Sequence, residues 1–227
     1  MTLEAFETLN HLMHSRWSCR AFRPDPVPDD VLRTIFRTAQ QAPSWNNTQP
    51  WHLVVTKGAG THRFRSLMTS MNQSGAAASP DFEFPREYRD VYMARRRACG
   101  FALYDAVGVA RGDRAAYARQ TARNYELFDA PHVAIVTSDE AIGVYGAVDC
   151  GAYVLAFTLA AQAAGVATIA QAALAVYSEA IRTHFVLPDT RRVVCGISFG
   201  WPDKAAPVNR YRTDRADISD VVQWADK

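Results

Sequence analysis

The 227-residue sequence has none of the common nucleotide-binding or hydrolytic signatures. No G-x-G-x-x-G follows a predicted strand and no G-x-x-x-x-G-K-[ST] occurs, which removes the usual Rossmann and P-loop routes to a nucleotide. There is no G-x-S-x-G elbow and no H-E-x-x-H. Cysteine is sparse: Cys19, Cys99, Cys150 and Cys195 lie far apart, with no C-x-x-C, so neither a zinc site nor a disulfide framework is expected. The six histidines are scattered without ligand-like spacing, which predicts surface or satisfied core roles. Charge of one sign is also lacking. A net charge of +2 is too mild for a nucleic-acid-binding face, and the one basic run, Arg95-Arg96-Arg97, reads as a solvated helix face.

The N-terminus, M-T-L-E-A-F-E-T-L-N, is acidic and lacks a basic start followed by an apolar stretch, so a cytoplasmic protein is expected. From Cys150 to Ser178 there is no charged residue, a run long enough on paper to cross a membrane. Alanine dominates it, however, and Gln162, Gly165, Thr168 and Gln171 interrupt it, which favours a soluble helix buried on nearly every side, followed by a short strand. No membrane and no nucleic-acid partner is expected.

Nearly half of the residues are apolar, enough for a substantial core. Helical spacing predicts helices over 3–14, over a segment after Pro28 carrying Val31, Leu32, Ile35, Phe36 and Ala39, and over 61–72, 88–107, 114–128 and 143–165. A short helix is expected over 178–185, with Ser178 as N-cap. β-Branched runs predict strands at 52–56, 132–137, 166–170 and 192–199. Strands joined through long helical passages predict an α+β fold, a mixed or antiparallel central sheet wrapped by helices in one domain over 1–227. The Ser-, Gly-, Ala- and Pro-rich stretch 72–87 reads as a mobile lid or loop. Asp149 reads either as a helix-start cap or as a buried functional acid.

Three segments point to chemistry. Arg16 and Arg20 bracket Ser18 in R-W-S-C-R, and Arg210 and Arg212 stand in N-R-Y-R. Guanidinium groups offer planar, permanently charged donors for phosphate or carboxylate, so an anionic ligand is expected. The segment Pro43-Ser-Trp-Asn-Asn-Thr-Gln-Pro-Trp51 combines flat apolar rings with amides, which suits a planar heterocycle.

Together R-x-S-x-R, A-P-S-x-x-N-x-Q-P-W, G-x-S-x-G-x-P-D and P-V-N-R-Y-R resemble the FMN-dependent nitroreductase family across Arg16 to Arg212. The stretch from Gln171 to Tyr177, with Arg182 and Leu187-Pro-Asp189, resembles the branch of nitrobenzoate and other nitroaromatic reductases. The resemblance implies an intertwined homodimer with FMN in the subunit interface and NADPH or NADH as electron donor. It implies that NAD(P)H reduces the flavin by hydride transfer and leaves before an electron-poor aromatic or quinone is reduced in the same pocket. Arg16, Arg210 and Arg212 would hold the FMN phosphate, Ser18 the ribityl chain or phosphate, and Arg20 the N1/O2 edge of the flavin. Pro43, Ser44, Trp45 and Asn47 would reach the flavin of the partner subunit, and the backbone of Gln171-Ala172 would lie near N5. The family often has Glu-Gly at that last position. No side-chain catalytic residue is implied, because the chemistry is carried by the flavin. Tyr125 and Phe128 are candidates for the substrate wall, with helix packing as the alternative. Two alternatives stay open: a different reduction on the same fold (dehalogenation, enone reduction or flavin fragmentation), and a non-catalytic protein for another phosphorylated ligand.

Overall fold

A computed structural model describes residues 2–225. Its centre is a four-stranded sheet in the order β1-β2-β4-β3, with every pair antiparallel. The strands are β1 (His52–Thr56), β2 (His132–Asp139), β3 (Ala167–Gln171) and β4 (Arg191–Gly200). The continuous apolar runs follow from position: β2 lies between two strands and is buried on both faces along almost its whole length, so alternation with polar residues has no place in it.

Helices cover both faces. On one face α2 (Asp29–Ala39) and α6 (Gly143–Ala163) pack through Leu32, Ile35, Tyr153 and Phe157 onto Ala134, Val136, Ile197 and Phe199. On the other, α3 (Ala59–Gln73), a 3-10 segment over 172–177 and α7 (Ser178–Phe185) pack through Phe64, Met68, Leu174 and Ile181 onto Val133, Ile135 and Val193. One residue shifts the alternation of β4 between the two cores. Val136 pairs with Cys195 but Thr137 pairs with Val193, so Val194 is an extra residue, a β-bulge. Val194 and Cys195 therefore both lie on the α6 side, while Val193 faces the α7 side. Beyond the bulge Gly196 leaves room for Leu174: a Cβ there would stand 2.4 Å from its Cδ1.

The remaining helices are α1 (Thr2–Ser15), α4 (Asp90–Ala106) and α5 (Arg114–Ala122). Several expectations are corrected. The helix expected over 114–128 stops at Ala122, because Leu127, Phe128 and Asp129 adopt left-handed backbone angles in a tight turn before β2. Ser178 does not cap α7; its hydroxyl is buried and donates to the Ala175 carbonyl at 2.8 Å. The α6 helix is long and apolar enough to span a membrane, yet it is not buried on nearly every side. Gly146, Cys150, Tyr153, Phe157 and Ala161 form one buried stripe on the sheet, whereas Val144, Tyr145, Val148 and Leu155 are exposed. Within 72–87, α3 continues to Gln73, and the following chain is pinned. The Ser79 N–H donates to the Val176 carbonyl at 2.7 Å, and Asp81, its side chain only 4 % exposed, pairs with Arg182 and Arg192 and accepts from the Val193 N–H at 2.7 Å.

Candidate functional site: an arginine cleft along the β3 edge

The segment after α1 runs along the free edge of β3. Ser18 forms a parallel bridge with Thr168, and the Cys19 N–H donates to the Thr168 carbonyl at 3.0 Å. Extended backbone sends alternate side chains to opposite sides. Cys19 points into the core, where Phe22 and Phe128 also lie, while Arg16, Trp17, Ser18 and Arg20 line a cleft of ≈ 800 Å³. The spacing from Ser18 to Arg20 is thus the period of a strand. Arg16 enters this run from the end of α1, its N–H still donating to the Leu12 carbonyl at 3.1 Å. Beyond Arg20 the chain turns back, Phe22 bridging Pro202 and the Arg23 N–H donating to the Trp201 carbonyl at 2.8 Å, while Gln171 and the exposed Ala172 stand at the other end of β3.

The C-terminal segment closes the cleft from the opposite side. Asn209, buried, fastens the two together: its Oδ1 accepts the Arg20 N–H at 2.8 Å, and its Nδ2 donates to the carbonyls of Ala21 and Asp203, both at 2.8 Å. From there Arg212 enters the cleft, donating to the Asn209 and Tyr211 carbonyls at 2.8 Å and lying 4.4 Å over the Trp17 ring. Arg20 stands 5.6 Å from the Tyr211 ring centre and donates to the Ser18 carbonyl at 3.1 Å. Arg210 goes elsewhere. It closes the 3-10 turn Pro207–Asn209 in a helical conformation, so the two-residue spacing does not put it on the same side as Arg212; it is exposed and donates to the Ala205 carbonyl at 3.0 Å.

The electrostatics are those of an anion site. Among the described residues, Arg16, Arg20, Arg212 and Arg215 form no salt bridge with a carboxylate, although all four line the cleft. Burial first and the neighbouring Arg215 charge second push the Arg16 pKa down, which a bound anion would offset. The buried indole N–H of Trp17 also has no acceptor. Unpaired guanidiniums, a free N–H and an aromatic wall fit a phosphorylated planar ligand such as FMN.

The other predicted site residues lie apart from this cleft. Pro43, Ser44, Trp45 and Asn47 form an exposed loop before β1, with Trp45 57 % exposed and packed edge-on against Tyr145 of α6. Asn46, Asn47 and Gln49 take left-handed backbone angles. The loop is held by the Ser44 hydroxyl, which accepts the Gln49 N–H at 2.9 Å, and by Asp149, whose carboxylate accepts the Trp45 N–H at 3.1 Å. Asp149 lies beyond the first turn of α6, so its role is to hold this loop and not to cap its own helix. The Gln171 side chain turns inward, donating to the Asn124 carbonyl at 2.9 Å and accepting from the Ser198 hydroxyl, which leaves no polar side chain at 171–172 facing outward. Tyr125 and Phe128 are corrected as substrate-wall candidates. They are 9 % and 2 % exposed and belong to the core, Tyr125 against Tyr177 and Phe128 beside Cys19 and Ile169. Asn209 and Arg215 are the residues that sequence reasoning missed; the asparagine of P-V-N-R stood in a quoted motif, whereas Arg215 had no motif to mark it.

Comparison with known proteins gives a concordant result. Residues 13–201 match the model of the Nitroreductase family. The chain is 33 % identical over 226 residues to "Nitroreductase NfnB" of Mycolicibacterium smegmatis, covering 99 % of this chain and 95 % of the relative. It is 30 % identical to a "4-nitrobenzoate reductase" of a Nocardioides species, covering 99 % and 92 %. Among solved structures, the FMN-dependent nitroreductase NfnB from Mycobacterium smegmatis in complex with NADPH superposes with a TM-score of 0.92 at 32 % identity, over 97 % of this chain and 99 % of that one.

Proposed function

The chain belongs to the nitroreductase family and has its α+β fold, and from that premise we propose that it is an FMN-dependent oxidoreductase that uses NAD(P)H to reduce nitroaromatic or quinone-like acceptors. The observation that carries the reading is the row Arg16, Ser18 and Arg20 along one wall of the cleft, facing Arg212, with no carboxylate to neutralise it. Arg16 and Arg212 hold the FMN phosphate, Ser18 meets the phosphate or ribityl chain, and Arg20 stands at the pyrimidine edge. Arg210 is assigned no contact by this arrangement, since it donates to Ala205. The outward backbone of Gln171-Ala172, further along the same edge, lies beside the reactive face.

FMN, when bound, supplies the hydride chemistry. Arg20 places permanent positive charge where reduction accumulates negative charge, which favours two-electron transfer. Donor and acceptor use the same face in turn, and protons come from solvent.

A second copy of the chain completes the site. Leu3, Phe6, Leu9 and Met13 on α1 and Val144, Tyr145, Val148 and Leu155 on α6 are exposed apolar rows on helices that pack together, the kind of surface that marks an interaction site. A homodimer covers them. It also gives the exposed loop with Pro43, Ser44, Trp45 and Asn47, which leans on Tyr145 of that face, a flavin to reach in the partner. Residues 1–227 act as one domain, with any lid motion confined to the part of 72–87 beyond the Asp81 anchor. Four unpaired cysteines suit the reducing cytoplasm.

The purified protein should be yellow or take up FMN stoichiometrically, and Arg212→Ala should bind FMN about tenfold more weakly, the effect of one lost charge-assisted contact. A colourless protein that cannot be reconstituted, or unchanged affinity in the variant, would overturn the assignment.

A further inference from the structure

The arginine cleft opens into a second space of ≈ 730 Å³ between α4 and the chain after Arg212. The two share Cys99, Arg212, Thr213 and Arg215, so they form one continuous groove. The run Arg95-Arg96-Arg97 fans out around α4 at about 100° per residue. Arg96 turns over the Tyr88 ring, 5.1 Å from its centre, whereas Arg95 lies one turn from Ala98 and Cys99 and two from Ala102, on the helix face that lines this space. Ala98, Ala102, Ala216 and Val221 make a small-residue apolar floor, with Arg95 and Arg215 at its rim.

The charge exceeds what one FMN requires. Five guanidiniums, Arg16, Arg20, Arg95, Arg212 and Arg215, line the groove with one carboxylate, Asp214. A phosphomonoester brings about two negative charges. With Arg16 and Arg212 on the FMN phosphate and Arg20 at the flavin edge, Arg95 and Arg215 remain without an anion. Small apolar side chains beside two arginines suit a purine carrying a phosphate.

Resting on the FMN reading above, we infer that this second space receives the adenosine 2′-phosphate end of the dinucleotide donor, with Arg95 and Arg215 on the phosphate, and that Arg95 makes the enzyme prefer NADPH to NADH. The two cofactors differ only in that phosphate, so a residue that meets nothing else changes their ratio without touching the chemistry.

The test titrates FMN-loaded protein calorimetrically with adenosine 2′,5′-bisphosphate and with adenosine 5′-monophosphate. The bisphosphate should bind at least about tenfold more tightly, as one charge-assisted contact implies. Arg95→Ala should remove most of that margin and Arg95→Glu all of it, and Arg215→Ala should also weaken the bisphosphate. In steady state Arg95→Ala should raise KM for NADPH about tenfold and leave KM for NADH and the bound FMN unchanged. Equal binding of the two nucleotides, or NADPH and NADH constants that move together, would overturn the inference while leaving the FMN site standing. A protein that takes up no FMN would instead overturn the reading on which it rests.

Discussion

Replacing Asn209 by alanine removes one acceptor and two donors from a buried position. The Arg20 N–H and the carbonyls of Ala21 and Asp203, each 2.8 Å from the amide, lose this partner. A buried polar group left without a partner costs about 1–3 kcal/mol. The Ala21 carbonyl keeps the Asp203 N–H at 3.0 Å, which lowers the total. A loss of about 3 kcal/mol for the site as a whole is therefore expected, and for a chain of this size it corresponds to a fall in Tm of about 6–12 °C. Because the same amide fixes Arg20 to the segment that carries Arg212, FMN affinity should fall by about tenfold as well, although Asn209 itself reaches no ligand. Asn209→Asp separates the two effects. It keeps the acceptor for Arg20 but sets a carboxylate against two carbonyl oxygens, so stability should fall at least as far. Differential scanning calorimetry of the apoprotein and fluorescence titration with FMN measure the pair. A Tm within about 2 °C of the parent, less than one kcal/mol on this scale, together with unchanged FMN affinity would refute the reasoning.

Asp81→Ala should destabilise the fold by about 3–5 kcal/mol, because it strands the largely buried Arg182 and the Val193 N–H; urea denaturation checks this, and a loss under 1 kcal/mol contradicts it. His132 is buried, with the Val27 N–H donating to Nε2 at 3.0 Å and Nδ1 facing the Thr56 carbonyl at 3.1 Å, so the ring is neutral with its proton on Nδ1. Burial, the largest cause, holds its pKa below the ordinary 6.5. Below that pH the unfolded chain takes up a proton that the folded one refuses, so stability should be full above pH 6.5 and decline as pH falls from 6.5 toward the lowered folded value. His132→Gln should flatten that decline in urea denaturation followed across pH, and an unchanged slope would show that other groups cause it. A Cβ at Gly200 would stand 2.6 Å from Pro131 Cδ, inside a ring that cannot swing away, so Gly200→Ala should cost about 1–3 kcal/mol, readable as a lower Tm.

Secondary structure was legible where local pattern and tertiary environment agree. The run His52–Thr56 is β1 without adjustment, its β-branched residues marking an edge strand, and β2 and β4 were each extended by only a residue or two, because buried strands leave uninterrupted apolar runs. The 114–128 helix failed because non-glycine residues, Leu127, Phe128 and Asp129, carry the left-handed turn, and no sequence punctuation announces it. The R-x-S-x-R side of the cleft was legible because the extended segment preserves a two-residue spacing from Ser18 to Arg20. N-R-Y-R was not, since a 3-10 turn just before it sends Arg210 and Arg212 to different places. The exposed face of α6 was hidden for another reason: composition records that a helix is apolar, not whether its own chain or another covers it.

The extra residue Val194 acts as a phase shift written into β4. Downstream of it, Gly196 and Ser198 fall on the side where Leu174 needs space and Gln171 needs a hydroxyl donor. If Val194 were kept but the bulge ironed out into regular pairing, alternation would exchange the two sides of the strand's second half, setting the bulk of Cys195 and Ile197 against Leu174 and Gln171. The outward backbone at Ala172 would lose its support from behind. One residue of chain length, in a strand that touches no ligand, thus sets the reading frame in which the flavin-facing edge is assembled.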